Sequence, residues 1–233
     1  MQYSVGTSGY SYPKWRGRFY PPKMPPAEML NYYAQRFPTV ELNNTFYRLP
    51  DQKTVASWTE QVPSTFQFAV KAPQTITHFK RLKDVGEVAS HFFSVIAVLK
   101  ARLGPLLFQL PPNFKKDLPR LKAFLELLED RTAAFEFRHQ SWLDDEVFEC
   151  LRAHGCALCI ADMEGEPPPK LVATADWGYV RLRRDSYTEG ELRQWLEQLS
   201  RQKWRKTYVY FMHDEVGVGA EMATQFVKLI GAQ

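Results

Sequence analysis

The sequence predicts a TIM-type (β/α)8 barrel spanning residues 1–233 as one domain. Three observations predict it. Eight short runs of strand type alternate with segments of helical periodicity. The chain has 233 residues, close to the roughly 250 typical of that fold. The first strand is not followed by the GxGxxG turn found in many open doubly wound sheets, the other architecture built on this alternation.

The first strand is YSVGTS, from Tyr3. A long loop follows, GYSYPKWRGRFYPPKMPP, whose aromatic residues suit either a packed plug or a lid over a pocket. Ala27 to Phe37 reads as a helix with Met29, Leu30, Tyr33 and Phe37 on one face. Thr39 opens the second strand, where alternation sets Val40 and Leu42 against Glu41 and Asn43. Lys53 to Val62 is a helix, and Phe66 to Val70 a third strand closed by Lys71. A long helix is expected from Val85 to Leu103, stopped by Gly104-Pro105, with a fourth strand from Leu106 to Leu110. Leu118 to Glu129 is a helix, and Ala133 to Arg138 the fifth strand. A helix from Glu146 to His154 ends at Gly155, and Cys156 to Ala161 is the sixth strand, reaching Asp162. MEGEPPPKLVATA is too rich in proline for a helix, so the helix after strand six is degraded to a loop. Tyr179 to Leu182, a helix from Glu189 to Leu199, Thr207 to Phe211 and a helix from Ala220 to Ile230 complete the chain.

Composition narrows the function classes. With 45% hydrophobic and 14% aromatic residues the chain buries a sizeable core. Thirty Lys+Arg against 26 Asp+Glu give a formal charge of +4, too mild by itself to indicate nucleic acid. No apolar leader follows Met1 and no run of about 18 apolar residues occurs, so a cytoplasmic protein without a membrane span is expected. Three cysteines fit a reducing compartment. Cys156 and Cys159 have CxxC spacing, but in a strand they face opposite ways, as small core residues would.

In a barrel, one face of each strand packs on helices and the other fills the interior. The alternation places Glu41, Lys71, Gln109, Glu136, Arg138 and Arg181 on inward faces near strand C-termini, where such barrels carry their sites. Asp162 and Asp214 also fall at strand ends. A mid-strand glutamate needs a partner, and Lys71, Arg138 and Arg181 are the candidates for Glu41.

Four blocks, GTSGYSYPKWRGRFYP, VELNNTFYRLP, FEFRHQSW and YVYFMHD, resemble those of the YecE-like family, domain of unknown function 72, in order and over nearly the whole length. The resemblance implies a barrel related to the TIM fold and a strand-end site, without a reaction. The family pattern carries over to Gly6, Ser8, Trp15, Glu41, Asn43, Phe46, Tyr47, Lys71, Gln109, Glu136, Arg138, Trp142, Asp162, Arg181 and Asp214. Ser8 and Trp142 join the candidate substrate-binding set on this ground alone. Two positions depart: Arg183 and Arg184 stand where the family commonly has a His-Gly pair, and His213 where it favours an amide.

Three chemistries suit these residues. In the first, an enzyme binds a phosphate-bearing small molecule through Lys71, Arg138 and Arg181, with Glu41, Glu136 and Asp162 as acids or bases. Asn43 and Gln109 would orient hydroxyl groups, Tyr47 would wall the pocket, and Asp214 would complete the binding set. No cofactor is required, and hydrolase, lyase and isomerase are not distinguished. In the second, Glu41, Glu136, Asp162, His213 and Asp214 hold a divalent metal for phosphodiester hydrolysis, possible in nucleic acid. Three cations at the same rim oppose it. In the third, a non-catalytic protein binds an anion or nucleic acid, using the aromatic loop beside Lys14, Arg16, Arg18 and Lys23, extended by Lys80, Arg81 and Lys83.

Overall fold

A computed structural model describes residues 1–212 and 217–232. Eight parallel strands form one sheet: β1 Gln2–Thr7, β2 Thr39–Leu42, β3 Gln67–Lys71, β4 Leu103–Leu110, β5 Ala133–Phe137, β6 Ala157–Met163, β7 Trp177–Arg183 and β8 Lys206–Phe211. The ladder runs β1-β8-β7-β6-β5-β4-β3-β2, which brings β1 and β2 edge to edge and nearly closes a TIM-type barrel. The helices are α1 Met29–Ala34, α2 Asn44–Tyr47, α3 Gln52–Glu60, α4 Gly86–Ile96, α5 Leu118–Leu125, α6 Asp145–Ala153, α7 Glu189–Ser200 and α8 Val218–Gly231. Side-chain caps start four of them: Asp51, Asp117 and Asp144 accept from backbone N–H groups of α3, α5 and α6, and Thr188 with Glu191 forms a capping box on α7. No helix lies between β6 and β7, as the prolines dictate; instead Thr174 Oγ1 accepts from the Leu158 N–H at 2.7 Å and donates to the Cys156 carbonyl at 2.8 Å. No helix among the described residues is long and apolar enough to cross a membrane.

The fourth strand begins earlier than the sequence suggests. The helix ends at Ile96, a short 3-10 segment runs to Arg102, and β4 starts at Leu103. Gly104-Pro105 is therefore inside the strand, not a helix stop. The register explains it: Phe68 pairs with Leu103 and Val70 with Leu106, so β4 carries one extra residue, a bulge that tolerates proline. A Cβ on Gly104 would stand 3.1 Å from the Phe68 carbonyl oxygen, so glycine permits the close approach.

Alternation sorts the interior. Leu158 and Ile160 of β6, Val180 and Leu182 of β7, and Phe135 of β5 join the large core between sheet and helices. Ala69, Leu107, Ala134, Ala157, Cys159, Tyr179, Tyr208 and Tyr210 fill the barrel. The tyrosines of β7 and β8 occupy space that the alanines of β3, β5 and β6 leave, so one flank supplies volume and the other makes room. The N-terminal aromatic loop is packed: Trp15 and Tyr20 are buried with Met29 of α1 and Ala220 of α8, and Arg18 pairs with Glu221 of α8.

The β1–β2 edge closes differently from the rest. One parallel bridge joins Ser8 to Glu41, with the Gly9 N–H on the Glu41 carbonyl at 2.8 Å. Below it the strands splay, and Tyr33 of α1 reaches in. Its hydroxyl accepts from the Thr7 N–H at 2.8 Å and donates to the Thr39 carbonyl at 3.1 Å, standing in for a ladder hydrogen bond. A Cβ on Gly6 would lie 2.1 Å from the Thr39 oxygen, so only glycine fits there.

Candidate functional site

The inward faces of β2, β3, β4, β5 and β7 converge at the strand C-termini into one buried polar network. Arg181 of β7 is its centre, 1% exposed. Its Nη2 donates to Glu41 Oε1 at 2.8 Å and its Nη1 to Glu136 Oε2, so one guanidinium bridges two carboxylates across the barrel. Glu41 Oε1 also accepts from Ser8 Oγ at 2.7 Å and Asn43 Nδ2 at 3.1 Å, and Oε2 from the Tyr179 hydroxyl at 2.7 Å. Glu136 Oε1 accepts from Gln109 Nε2 at 2.9 Å and from Arg138 Nε. The Gln109 amide relays onward, its Oε1 accepting from Lys71 Nζ at 3.0 Å. Of the partners expected for Glu41, Arg181 is the one in contact; Arg138 serves Glu136, and Lys71 serves Gln109.

The electrostatics follow from burial against pairing. Burial alone would raise both glutamate pKa values, but the Arg181 charge outweighs it and, with hydrogen bonds, holds both below the usual carboxylate range. Burial likewise works against the charge on Arg181, and Glu41 and Glu136 overcome it, holding its pKa well above the ordinary value. Burial pushes the Tyr179 hydroxyl well up, with the Glu41 charge adding to it. Lys71 goes the other way: burial and then Arg181 lower it to about 8, against the pull of Glu41 and Glu136. Its ammonium lies 4.0 Å from the centroid of the Phe46 ring in α2. Burial and then Arg181 also lower Arg183, whose buried Nε has no hydrogen-bond partner.

Other expected site residues lie elsewhere. Asp162 follows Leu158 and Ile160 in the alternation, so it faces the helix side rather than the barrel interior. Its Oδ2 accepts from the Tyr187 hydroxyl at 2.9 Å and pairs with Arg184 Nε at 2.9 Å. The structure therefore does not bring Asp162 to Glu41 and Glu136. Trp142 is fully buried in the helix-side core, stacked on Phe137 with centroids 4.9 Å apart, its Nε1 donating to the Phe114 carbonyl at 2.7 Å. It supports the site from outside and presents no face to a ligand. Tyr47 is 75% exposed on α2, beside Phe46 rather than in a wall. Asp214 and His213 lie outside the described residues. Among the described residues no three His, Cys, Asp or Glu side chains converge as metal ligands, and the Arg181 guanidinium occupies the space between the two acids.

The family described as "Protein of unknown function DUF72" matches residues 4–233. The chain belongs to the DUF72 family. A DUF72 protein of Thermotoga maritima of known crystal structure superposes with a TM-score of 0.86 at 32% identity, covering 99% of this chain and all of that one. A second, from Enterococcus faecalis, gives 0.80 at 21% identity over 99% of this chain and 98% of that one, a likeness of fold. The UPF0759 protein YunF of Bacillus subtilis is 28% identical over 91% of this chain and 89% of its own length. The UPF0759 protein YecE of Escherichia coli K12 is 34% identical over 53% of this chain and 43% of its own.

Within this DUF72 barrel, three participants lie beyond the candidate site residues read from the sequence. Alternation in the seventh strand puts Tyr179 on the inward face of Arg181, which is the signal that finds it. Arg183 sits two residues further along the same face. His78 does not: it lies in a π-helical turn, Thr75–Phe79, with its ring edge-on to Phe46 at 4.8 Å and its Nδ1 2.9 Å from Thr77 Oγ1. Burial, then Lys71 and Arg138, lower its pKa. A cleft of about 780 Å³ lies outside the barrel, lined by Arg48, Leu49, Asp51 and His91 among others, and none of the strand-end charges line it.

Proposed function

We propose that this DUF72 protein binds a small anionic molecule, a phosphorylated one above all, at the C-terminal end of the barrel. The observation that carries this is a surplus of positive charge at that end, with Lys71 and Arg181 buried and Arg138 and Arg183 half-buried. Lys71, Arg138, Arg181 and Arg183 face two carboxylates, Glu41 and Glu136, leaving a surplus of two. Arg181 and Arg138 are paired with those carboxylates, whereas Lys71 and Arg183 form no ion pair among the described residues. A charge withdrawn from water without a counter-charge is costly, fully so for buried Lys71 and in part for half-buried Arg183, and an anion at the mouth relieves both at once. Guanidinium and ammonium groups together suit phosphate or carboxylate.

Any proton transfer on the bound anion falls to Lys71. Glu41 and Glu136 are held ionised by Arg181 and serve to fix it, whereas Lys71, at about 8, exchanges its proton near neutral pH. A reducing, cytoplasmic setting agrees with three buried free thiols, Cys150, Cys156 and Cys159. Thermal-shift screening against phosphorylated metabolites and inorganic phosphate tests the proposal. Stabilisation is expected for a subset, weakened at least tenfold in Kd by Lys71→Met or Arg183→Met. Failure of every phosphorylated compound to bind sinks it.

A further inference from the structure

Two exposed rings stand beside the cationic mouth. The chain has 33 aromatic residues (16 Phe, 11 Tyr and 6 Trp). Of these, Tyr47 and Phe79 are the two found among the exposed large hydrophobic side chains, at 75% and 70%. They follow adjacent strands, β2 and β3, at the same end of the barrel, in α2 and in the π-helical turn. Phe46 links the turns to the mouth: its ring contacts Tyr47 at 5.0 Å, His78 at 4.8 Å and the Lys71 ammonium at 4.0 Å. Folding gains nothing by leaving rings in water when so many others are buried, but a planar ligand gains a stacking surface.

A third group waits at the same place. Asn43 Nδ2 is committed to Glu41, but its Oδ1 is buried and has no donor. A buried acceptor without a donor is costly, and a ligand hydroxyl supplies one.

Resting on the anion-binding reading above, we infer that the ligand is a nucleoside phosphate. Its phosphate meets Lys71 and Arg183, a sugar hydroxyl donates to Asn43 Oδ1, and its base lies on Tyr47 and Phe79. A sugar phosphate satisfies the first two but leaves the rings unused.

Calorimetric titration of the full chain with adenosine monophosphate, ribose 5-phosphate and inorganic phosphate separates the three contacts. The mononucleotide is expected to bind at least tenfold tighter than ribose 5-phosphate, and ribose 5-phosphate tighter than phosphate. Tyr47→Ser with Phe79→Ser should erase the first step, and both sites are exposed, so thermal melting should be unchanged. Asn43→Ala should erase the second. Equal affinity for mononucleotide and ribose 5-phosphate, across adenine, guanine, cytosine and uracil forms, overturns the inference and leaves the anion reading standing. No binding of any of the three probes overturns the inference, and the anion reading falls with it only if the wider screen of phosphorylated compounds is also blank. A single-stranded oligonucleotide binding a hundredfold tighter than the mononucleotide also overturns it, because the site then serves a strand.

Discussion

Arg181 decides the character of the barrel mouth. It holds two buried carboxylates at once, Arg138 supplies the second positive charge at Glu136, and each carboxylate takes further donors. Removing the middle charge leaves two buried anions facing one another. Arg181→Met is therefore expected to cost about 3–5 kcal/mol of stability, read as a lowered urea midpoint. Glu41→Gln should cost less, because its hydrogen-bond donors keep an acceptor; an equal loss would show that charge, not bonding, dominates. Lys71 gives a prediction of opposite sign. Its folded pKa is about 8 against an ordinary 10.5, so the folded chain releases the proton first. The burden of the buried ammonium is fully present below about pH 8. Between about pH 8 and 10.5 the unfolded chain holds more protons, and stability rises with pH by roughly 3 kcal/mol from this group. Urea unfolding of the wild type against Lys71→Met at pH 7.5 and 9.5 should show the gain in the wild type alone.

At the scale of elements, the joints between strands differ. β1 pairs with β8 over six residues, Gln2 to Thr7, whereas β1 and β2 share one bridge and a tyrosine hydroxyl. Tyr33→Phe removes that hydroxyl and leaves a buried N–H and a buried carbonyl without it, an expected loss of about 1–3 kcal/mol. Hydrogen exchange at the Thr7 amide should speed up in the same variant; unchanged protection there would mean that another group closes the seam. The β4 bulge shows why element boundaries were harder to foresee than elements. Gly-Pro is ordinarily a stop, and only the neighbouring strand's register turns it into strand. The π-helical turn holding His78 is similar, since five residues wound this way leave no periodic trace in the sequence.

For the whole molecule, alternation was the legible part. Period two within each run identified Glu41, Lys71, Gln109, Glu136, Arg138 and Arg181 as one inward set, because a closed barrel offers each strand only two faces. What was not legible was pairing. Which cation meets which acid depends on strand tilt and stagger, so Glu41 was matched to three candidates and found one. Asp162 was misplaced because it sits at a strand end like the others, and only its parity with Ile160 sends it to the helix side. The network also sets the response of the molecule to acid. Glu41 and Glu136 have folded pKa values below their unfolded ones, so their contribution is complete above about 4.5 and is lost as pH falls further. Thermal melting should hold near-constant between about pH 4.5 and 7, below the range in which Lys71 titrates, and decline at lower pH, with Glu136→Gln flattening the decline.

The weak seam also says where this barrel could be cut. β1 belongs with the last strand by its six-residue ladder and with the second by a single bridge and the Tyr33 hydroxyl. In a circular permutant that starts near Pro26 and carries the first segment after α8, every extended ladder survives. Such a permutant is expected to fold and to lose less stability than one opened between β4 and β5, whose five paired residues would lose their connection through α5.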